Sequence, residues 1–298
     1  MSNNTAPLTL SNDIKMPALG LGVYRSSPEE TLHAVSTALT HGYRLIDTAA
    51  AYGNEVQVGE GVSRAEVSRA DVFVTTKLWI SDYGHDQALH GFDRSMRKLG
   101  FETLDLYLLH QPMPTEWERT VAAWKALGRL LEEGRTRAIG VCNFNAELLG
   151  DLIDRTGIVP HVNQVELHPF FTQEALRATH KRLGIATQAW SPIGGVMRYF
   201  TDNPEAAHSP LSHPVITALT EKHGKTPSQI VLRWHLEHGF CAIPKSVRAE
   251  RIAENFAVFD FSLAPDEVAA IDALDTGVRS GPNPEDIDTK RFSLTIED

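Results

Sequence analysis

Gly42-Tyr43-Arg44-Leu45-Ile46-Asp47 is a short apolar run that stops at a carboxylate. An amphipathic pattern with helical spacing follows it over residues 55–68. A strand that is apolar on both faces and leads into a helix is typical of a parallel sheet, because helices cover such strands on the outside. The stretch therefore predicts one strand–helix unit of an α/β protein.

The same unit recurs along the chain. The eight predicted strands are residues 18–22, 43–47, 72–76, 104–110, 137–142, 161–166, 185–190 and 240–244. The helical patterns are residues 28–40, 55–68, 86–99, 116–133, 146–155, 172–183, 213–223, 227–238, 249–257 and 265–273. Because no linker or change of composition divides the chain, this alternation favours a closed (β/α)8 TIM barrel over an open sheet, with residues 1–298 as a single domain.

The two ends of the chain fall outside this repeat. Residues 8–18 contain the turn residues Ser11-Asn12-Asp13 between short apolar stretches, which predicts an N-terminal β-hairpin. Residues 265–273 predict an extra C-terminal helix. The irregular tail after Asp275 is expected to lie over a barrel mouth or to trail in solvent.

Composition excludes several classes of protein. The 298 residues include 28 Lys and Arg against 38 Asp and Glu, a formal charge of −10, and such a surface repels nucleic-acid phosphates. No apolar run approaches the roughly 18 residues of a membrane span, and residues 1–5 lack the features of a signal peptide. Two cysteines are too few for a disulfide framework. We expect a cytoplasmic protein without nucleic-acid or membrane partners, and a monomer.

Polar residues stand where the predicted strands end: Asp47, Lys77, His110, Asn143, Glu166 and Lys245. In barrels of this type the reactive groups come from the C-terminal ends of the strands. Each residue alone has an ordinary structural interpretation, as a helix cap, a solvated strand end or a rim residue. Asp47, Lys77 and His110 follow three successive strands, however, and therefore face one mouth. Tyr52, five residues past Asp47, is close enough to reach it.

These four residues suit the activation of a carbonyl group. An ammonium held by a carboxylate favours the phenolate and is expected to lower the pKa of the tyrosine from about 10, making it a better acid. A histidine supplies a second hydrogen bond to the carbonyl oxygen. We find no activated nucleophile and no metal-ligand cluster, so the electrons must come from a cofactor. Residues 59–64 begin like a dinucleotide-binding glycine loop but lack its third glycine, which argues against a Rossmann site.

Six ordered motifs resemble the aldo-keto reductase family, most closely its microbial 2,5-diketo-D-gluconate reductase and prostaglandin F synthase-like members. They are residues 42–55, Thr76-Lys77-Leu78-Trp79, residues 104–110, residues 140–144, residues 163–169, and residues 243–247 with Arg251, Glu254, Asn255 and Phe256. The resemblance implies an NADPH-dependent barrel that reduces a small-molecule carbonyl substrate. It also implies that Tyr52 is the proton donor, that Lys77 and Asp47 tune it, and that His110 orients the carbonyl.

The resemblance further implies the binding residues. Trp190 would stack on the nicotinamide, and Asn143 and Gln164 would hold its carboxamide. The other implied cofactor contacts are Ser191, with Lys245, Ser246, Val247, Arg248 and Arg251 around the 2′-phosphate and Glu254 and Asn255 at the adenine. The implied substrate-pocket residues are Gly22, Val23, Tyr24, Trp79, His110 and the segment after Trp190.

Two positions depart from the family pattern, since Cys142 stands where many relatives have Ser and Gln111 where relatives often have Trp. The loop at residues 111–115 and the tail are short, which favours small aldehydes and ketones as substrates. Two other functions stay open at this point. One is a lyase that forms a Schiff base through Lys77 or Lys245, and the other is a non-catalytic nucleotide-binding barrel.

Overall fold

The computed structural model describes residues 7–195 and 209–297. Eight parallel strands form the barrel in chain order: β3 (Leu21–Gly22), β4 (Leu45–Asp47), β5 (Phe73–Leu78), β6 (Leu104–Leu109), β7 (Thr136–Cys142), β8 (Val162–Glu166), β9 (Ala186–Trp190) and β10 (Cys241–Ala242). The barrel closes between its first and last strands, because Gly20 N–H donates to Ala242 O (2.9 Å) and Gly22 N–H to Pro244 O (3.1 Å). The predicted TIM barrel is confirmed.

Helices surround this barrel: α1 (Pro28–Thr40), α2 (Glu55–Ser63), α3 (His85–Leu99), α4 (Trp117–Glu132), α5 (Ala146–Thr156), α6 (Glu174–Leu183), α7 (Pro214–His223), α8 (Pro227–Glu237), α9 (Ala249–Phe256) and α10 (Pro265–Asp272). α1 has its predicted bounds because Ser27 and Glu30 form a capping box at its start. α2 is five residues shorter than the predicted 55–68, since Ser68 instead caps a separate short turn at Arg69–Asp71. β10 is shorter than the predicted 240–244, because Pro244 has no N–H to continue the ladder.

The glycines at positions 59 and 61 have a packing role. A Cβ on Gly59 would lie 2.0 Å from the carbonyl oxygen of Leu99, and one on Gly61 would lie 2.8 Å from Val35. These glycines therefore let α2 approach its two neighbouring helices closely, which explains a glycine-rich run that is not a nucleotide loop.

The barrel interior follows a two-residue period. Its apolar lower layers include Leu45, Phe73, Leu108 and Val162, one from each of four strands. The hairpin of β1 (Leu8–Thr9) and β2 (Lys15–Met16) adds Leu10 and Met16 to the same cluster and so closes the N-terminal end of the barrel. At the other end of the barrel, the described residues leave a cavity at the C-terminal mouth.

The C-terminal tail (residues 276–297) lies across that mouth. Trp79 Nε1 donates to the carbonyl oxygen of Leu294 (2.9 Å), and Ile287 is fully buried. Of the two expectations for the tail, the covered mouth is the correct one. The expectations for residues 1–5, and for the segment after Trp190 beyond residue 195, lie outside the described residues. Within the described ranges, no helix combines the length and apolar character that a membrane crossing requires.

Candidate active site

A cavity of about 590 Å³ opens at the C-terminal mouth. Its lining includes Asp47, Tyr52, Trp79 and His110 together with Lys245 and Arg251. The other described residues that line it include Gly22, Tyr24, Gln111, Cys142, Asn143, Gln164, Trp190, Ser191, Pro192, Ile193, Gly194, Gly195, Pro282, Phe292 and Leu294.

The alternation of side chains along the strands explains how these residues meet. Side chains two residues apart point to the same side of a strand. Asp47 is two residues past the interior residue Leu45, and His110 is two past Leu108. Gln164 follows Val162 by the same step, and Lys245 follows Ile243. The polar mouth is thus the top layer of the barrel interior, above layers that are apolar.

Lys77 is the centre of the site. Its fully buried ammonium donates to Asp47 Oδ1 (2.5 Å), to the carbonyl oxygen of Thr48 (2.8 Å) and to the Tyr52 hydroxyl (3.5 Å). All three N–H groups are therefore used. Burial alone would lower the pKa of Lys77, but Asp47 and Tyr52 raise it above its usual value, so the amine stays charged. A charged amine does not attack carbonyls, which disfavours a Schiff base through Lys77.

Tyr52 is held by the turn that follows β4. It ends a single 3-10 turn, Ala50–Tyr52, and Gly53 then adopts a left-handed conformation with φ 68°. The buried amide of Asn54 accepts from the Thr48 hydroxyl (2.7 Å) and donates to the carbonyl oxygen of Val23 (3.0 Å). Asn54 thus fixes both ends of the segment that carries Tyr52, a role that the sequence analysis did not identify.

One electrostatic expectation is wrong. Burial raises the pKa of Tyr52 above its usual value, and the opposing effect of Lys77 is smaller. Removing the phenol from water disfavours the phenolate more strongly than one nearby ammonium favours it. Tyr52 is therefore a neutral hydroxyl in this state.

His110 is neutral as well. Burial, followed by the charge of Lys77, holds its pKa well below the usual value. Its ring lies edge-on to both Tyr52 (centroids 5.5 Å apart) and Trp79 (5.1 Å). Its Nδ1 is buried and has no hydrogen-bond partner among the described residues. A neutral imidazole carries one N–H, so His110 is a hydrogen-bond donor without being an acid.

The tetrad of Asp47, Tyr52, Lys77 and His110 is connected to the rest of the cavity by the side-chain amides of two residues. Gln164 Nε2 donates to Asp47 Oδ2 (2.8 Å) and to Gln188 Oε1 (2.7 Å). Asn143 Oδ1 accepts from Trp190 Nε1 (2.8 Å), and Asn143 Nδ2 donates to Gln111 Oε1 (3.1 Å). Gln111 thus contributes an amide to the cavity wall and holds Asn143.

The remaining predicted residues divide into two groups. Lys245 and Arg251 line the cavity. The second group does not line it and consists of Ser246, Val247 and Arg248, in the loop after Lys245, and Glu254 and Asn255, in α9. Glu254 accepts from the Thr226 hydroxyl (2.7 Å), and Arg248 is largely exposed. Val23 does not line the cavity: its side chain is 1% exposed and packs in the core. The strand there turns Gly22 and Tyr24 toward the cavity and Val23 away from it.

Fold and site together place a buried Lys, Asp, Tyr and His cluster in a cavity at the C-terminal mouth of a (β/α)8 barrel. The model of the aldo/keto reductase family matches residues 18–276, and the chain belongs to that family. It is an oxidoreductase that reduces carbonyl groups with NADPH.

Similar proteins cover nearly the whole chain. Morphine 6-dehydrogenase from Pseudomonas putida is 51% identical over 98% of this chain and 99% of its own length. Methylglyoxal reductase DkgA from Escherichia coli is 45% identical over 96% and 98%. The crystal structure of a mutant of Gox0644 in complex with NADPH has a TM-score of 0.86 at 40% identity, and the match covers 95% of this chain and 99% of that one.

Proposed function

We propose that Tyr52 donates the proton to the carbonyl oxygen of a small aldehyde or ketone. The observation that carries this proposal is the contact of one buried ammonium, that of Lys77, with both Tyr52 and Asp47, which line the cavity. The phenolate that remains after proton donation lies beside this ammonium, which stabilises the charge as it forms. Asp47, in turn, keeps Lys77 charged.

His110 orients the carbonyl by a hydrogen bond to the same oxygen. Its suppressed protonation supports a donor role and not an acid role. When bound, NADPH supplies the hydride for the carbonyl carbon. The carbonyl oxygen takes the proton of the Tyr52 hydroxyl, and solvent then returns a proton to Tyr52.

NADPH would bind along this cavity in an extended form. Trp190 presents an indole wall beside the amides of Asn143 and Gln164, a set suited to a nicotinamide ring and its carboxamide. A carboxamide at Asn143 would replace the contact with Gln111. Ser191 lies next to this wall. Lys245 and Arg251, which line the cavity, suit the 2′-phosphate. Ser246, Val247 and Arg248 lie adjacent to them in the chain, and Glu254 and Asn255 would lie nearer the adenine.

The substrate end supports small carbonyl compounds with further oxygen atoms. Tyr24, Trp79 and Phe292 provide aromatic walls, and Gln111 adds an amide where Trp is common in relatives. One of the similar proteins is named a methylglyoxal reductase. We therefore include 2-oxoaldehydes and keto-sugars with simple aldehydes and ketones as candidates.

The test follows NADPH absorbance with this panel, using wild type, Tyr52→Phe and Tyr24→Phe. Tyr52→Phe should lose turnover by about 10²–10⁴-fold, the usual contribution of a general acid, with nearly unchanged NADPH affinity. Tyr24→Phe removes a hydroxyl from the same cavity and should change KM without that loss of kcat. Equal turnover in wild type and Tyr52→Phe would contradict the assignment.

We also propose that residues 1–298 form one domain that acts as a cytoplasmic monomer. Both cysteines are free and buried, which suits a reducing compartment. The exposed large hydrophobic side chains of the described residues are Val56, Val159, Val278 and Leu294, distributed over α2, the loop before β8 and the tail. Light scattering that gives the mass of two chains would contradict the monomer.

A further inference from the structure

Glu166 fastens the C-terminal tail to the barrel. It ends β8, is fully buried, and accepts backbone hydrogen bonds from Ser280 N–H at Oε1 (2.8 Å) and from Gly281 N–H at Oε2 (2.8 Å). His168 Nε2 contacts the same Oε1 at 3.0 Å, and an Arg279 nitrogen lies 3.7 Å from Oε2. None of the roles considered so far uses this carboxylate.

A carboxylate is suited to this position for a geometric reason. It offers two acceptor oxygens, so it binds two successive backbone N–H groups at once, and an amide side chain has only one acceptor. Hydrogen bonds to a charged acceptor are also stronger than neutral ones. These contacts hold the pKa of Glu166 below its usual value although burial opposes them, so the group stays ionised.

The fastened segment packs against Trp190. A Cβ on Gly281 would lie 2.6 Å from Trp190 Cη2 and 2.9 Å from Glu166 Oε2. Gly281 therefore touches the indole ring more closely than any other residue type could. On the other side of the same ring system, Trp190 Nε1 donates to Asn143 Oδ1. Trp190 is thus held between the tail and the cavity amides.

The residues that follow this anchor form part of the cavity wall. Pro282 lines the cavity directly after Gly281, and Phe292 and Leu294 line it farther along. Trp79 binds the backbone at Leu294. A shift of the backbone at residues 280 and 281 would therefore move both the indole and the first part of the wall.

We infer that Glu166 is a positioning residue of this enzyme: by holding Ser280 and Gly281 against Trp190, it sets the indole wall for the nicotinamide and the adjoining wall for the substrate. The inference rests on the proposed placement of the nicotinamide at Trp190. Glu166 acts through the tail and Trp190, and it does not itself contact the reacting atoms.

The test uses Glu166→Gln with Glu267→Gln as its matched control. Glu267 is also buried and also accepts from a backbone N–H (Ala264, 2.7 Å) and a histidine (His223, 2.9 Å), but at α10. In Glu166→Gln, amide exchange at residues 280 and 281 should accelerate by roughly tenfold or more, as expected for loss of one charge-assisted hydrogen bond. NADPH dissociation constants by calorimetry and carbonyl KM should rise several-fold, with a smaller change in kcat. Glu267→Gln should change none of these.

A second pair keeps the inference testable if Glu166→Gln does not fold. Gly281→Ala inserts a methyl group against Trp190, whereas Gly150→Ala, in α5, adds one where nothing lies within 4 Å. Only Gly281→Ala should raise the NADPH dissociation constant and KM. Unchanged exchange in Glu166→Gln would overturn the fastening, and faster exchange with unchanged NADPH affinity and KM would overturn the link to Trp190. If wild type reduces no carbonyl of the panel, the proposed substrate class fails, while exchange and NADPH affinity still decide the role of Glu166.

Discussion

At the scale of single residues, the site depends on the removal of its groups from water. Burial keeps both Tyr52 and His110 neutral, and the carboxylate of Asp47, at 2.5 Å, contributes most to keeping Lys77 charged. The pair of neutral donors therefore stands beside one permanent positive charge. Such a set binds a carbonyl oxygen and stabilises negative charge that develops nearby.

This arrangement predicts a flat pH profile for carbonyl reduction near neutrality. The pKa of His110 lies well below 6.5 and that of Tyr52 above 10, so neither group changes charge between pH 6 and 8. We expect kcat/KM, measured by NADPH absorbance at constant ionic strength, to vary less than about twofold over this range. A limb with an apparent pKa near 6.5 that disappears in His110→Gln would show that His110 titrates in the working enzyme.

His110→Gln gives a second residue-scale prediction. Glutamine retains an N–H donor but places it differently, so turnover should persist while the ranking of carbonyl substrates changes. The measurement is kcat/KM for each member of the substrate panel, in wild type and in His110→Gln. An unchanged ranking in His110→Gln would contradict the orienting role.

At the scale of elements, helix ends account for several boundaries that are visible in the sequence. α1, α8 and α10 each begin with Pro at the first helical position and a Glu or Gln at the third that binds back to the cap residue. At α10 the third residue, Glu267, also binds Lys222 and His223. Burial raises the pKa of Glu267, but these contacts and the Ala264 N–H together lower it to about 2.

The lowered pKa of Glu267 predicts that the free energy of unfolding depends on pH. Because its folded pKa is lowered, its ionised form stabilises the protein fully above the unfolded pKa of about 4.3, and this stability is lost as pH falls toward 2. Glu267→Gln should reduce the free energy of unfolding at pH 7 by about 1–2 kcal/mol. Urea unfolding at pH 7, 5 and 4 should show a gap to wild type that is constant down to pH 5 and begins to close below it. Asp266→Asn, an exposed neighbour in the same turn, should show a much smaller gap at every pH.

At the scale of the whole molecule, one cavity joins Asp47, Tyr52 and His110 to the residues that follow the last strand of the barrel. The closure of β3 on β10 brings Lys245 and Arg251 to the cavity that starts at Tyr52, about 200 residues away in sequence. The overall charge of the chain is −10, whereas this part of the cavity carries two positively charged side chains. These two cations would bind the 2′-phosphate, the group that distinguishes NADPH from NADH.

We therefore predict that Arg251→Ala loses affinity for NADPH by about 10- to 100-fold and for NADH by much less, since one hydrogen bond to a charged group contributes about 1.5–3 kcal/mol. Arg129→Ala is the matched control, because Arg129 is an exposed arginine of α4 that does not line the cavity. The NADPH preference of wild type should also shrink as salt rises. Equal losses for both cofactors in Arg251→Ala would exclude a phosphate contact.

The sequence by itself determined the elements, because periods of two and of about 3.6 residues, with Pro and Gly at helix ends, depend on local chemistry. It also indicated Asp47, Lys77 and His110, since a polar residue that ends an apolar strand is visible without any contact. Only the tertiary structure decided what depends on distance and burial. Burial reversed the expected pKa shift of Tyr52, and side-chain packing turned Val23 into the core. Glu166 binds the backbone of the tail, and Gln188 binds Gln164 of β8. No local pattern specifies these contacts, because they form only when the barrel closes and excludes water from its mouth.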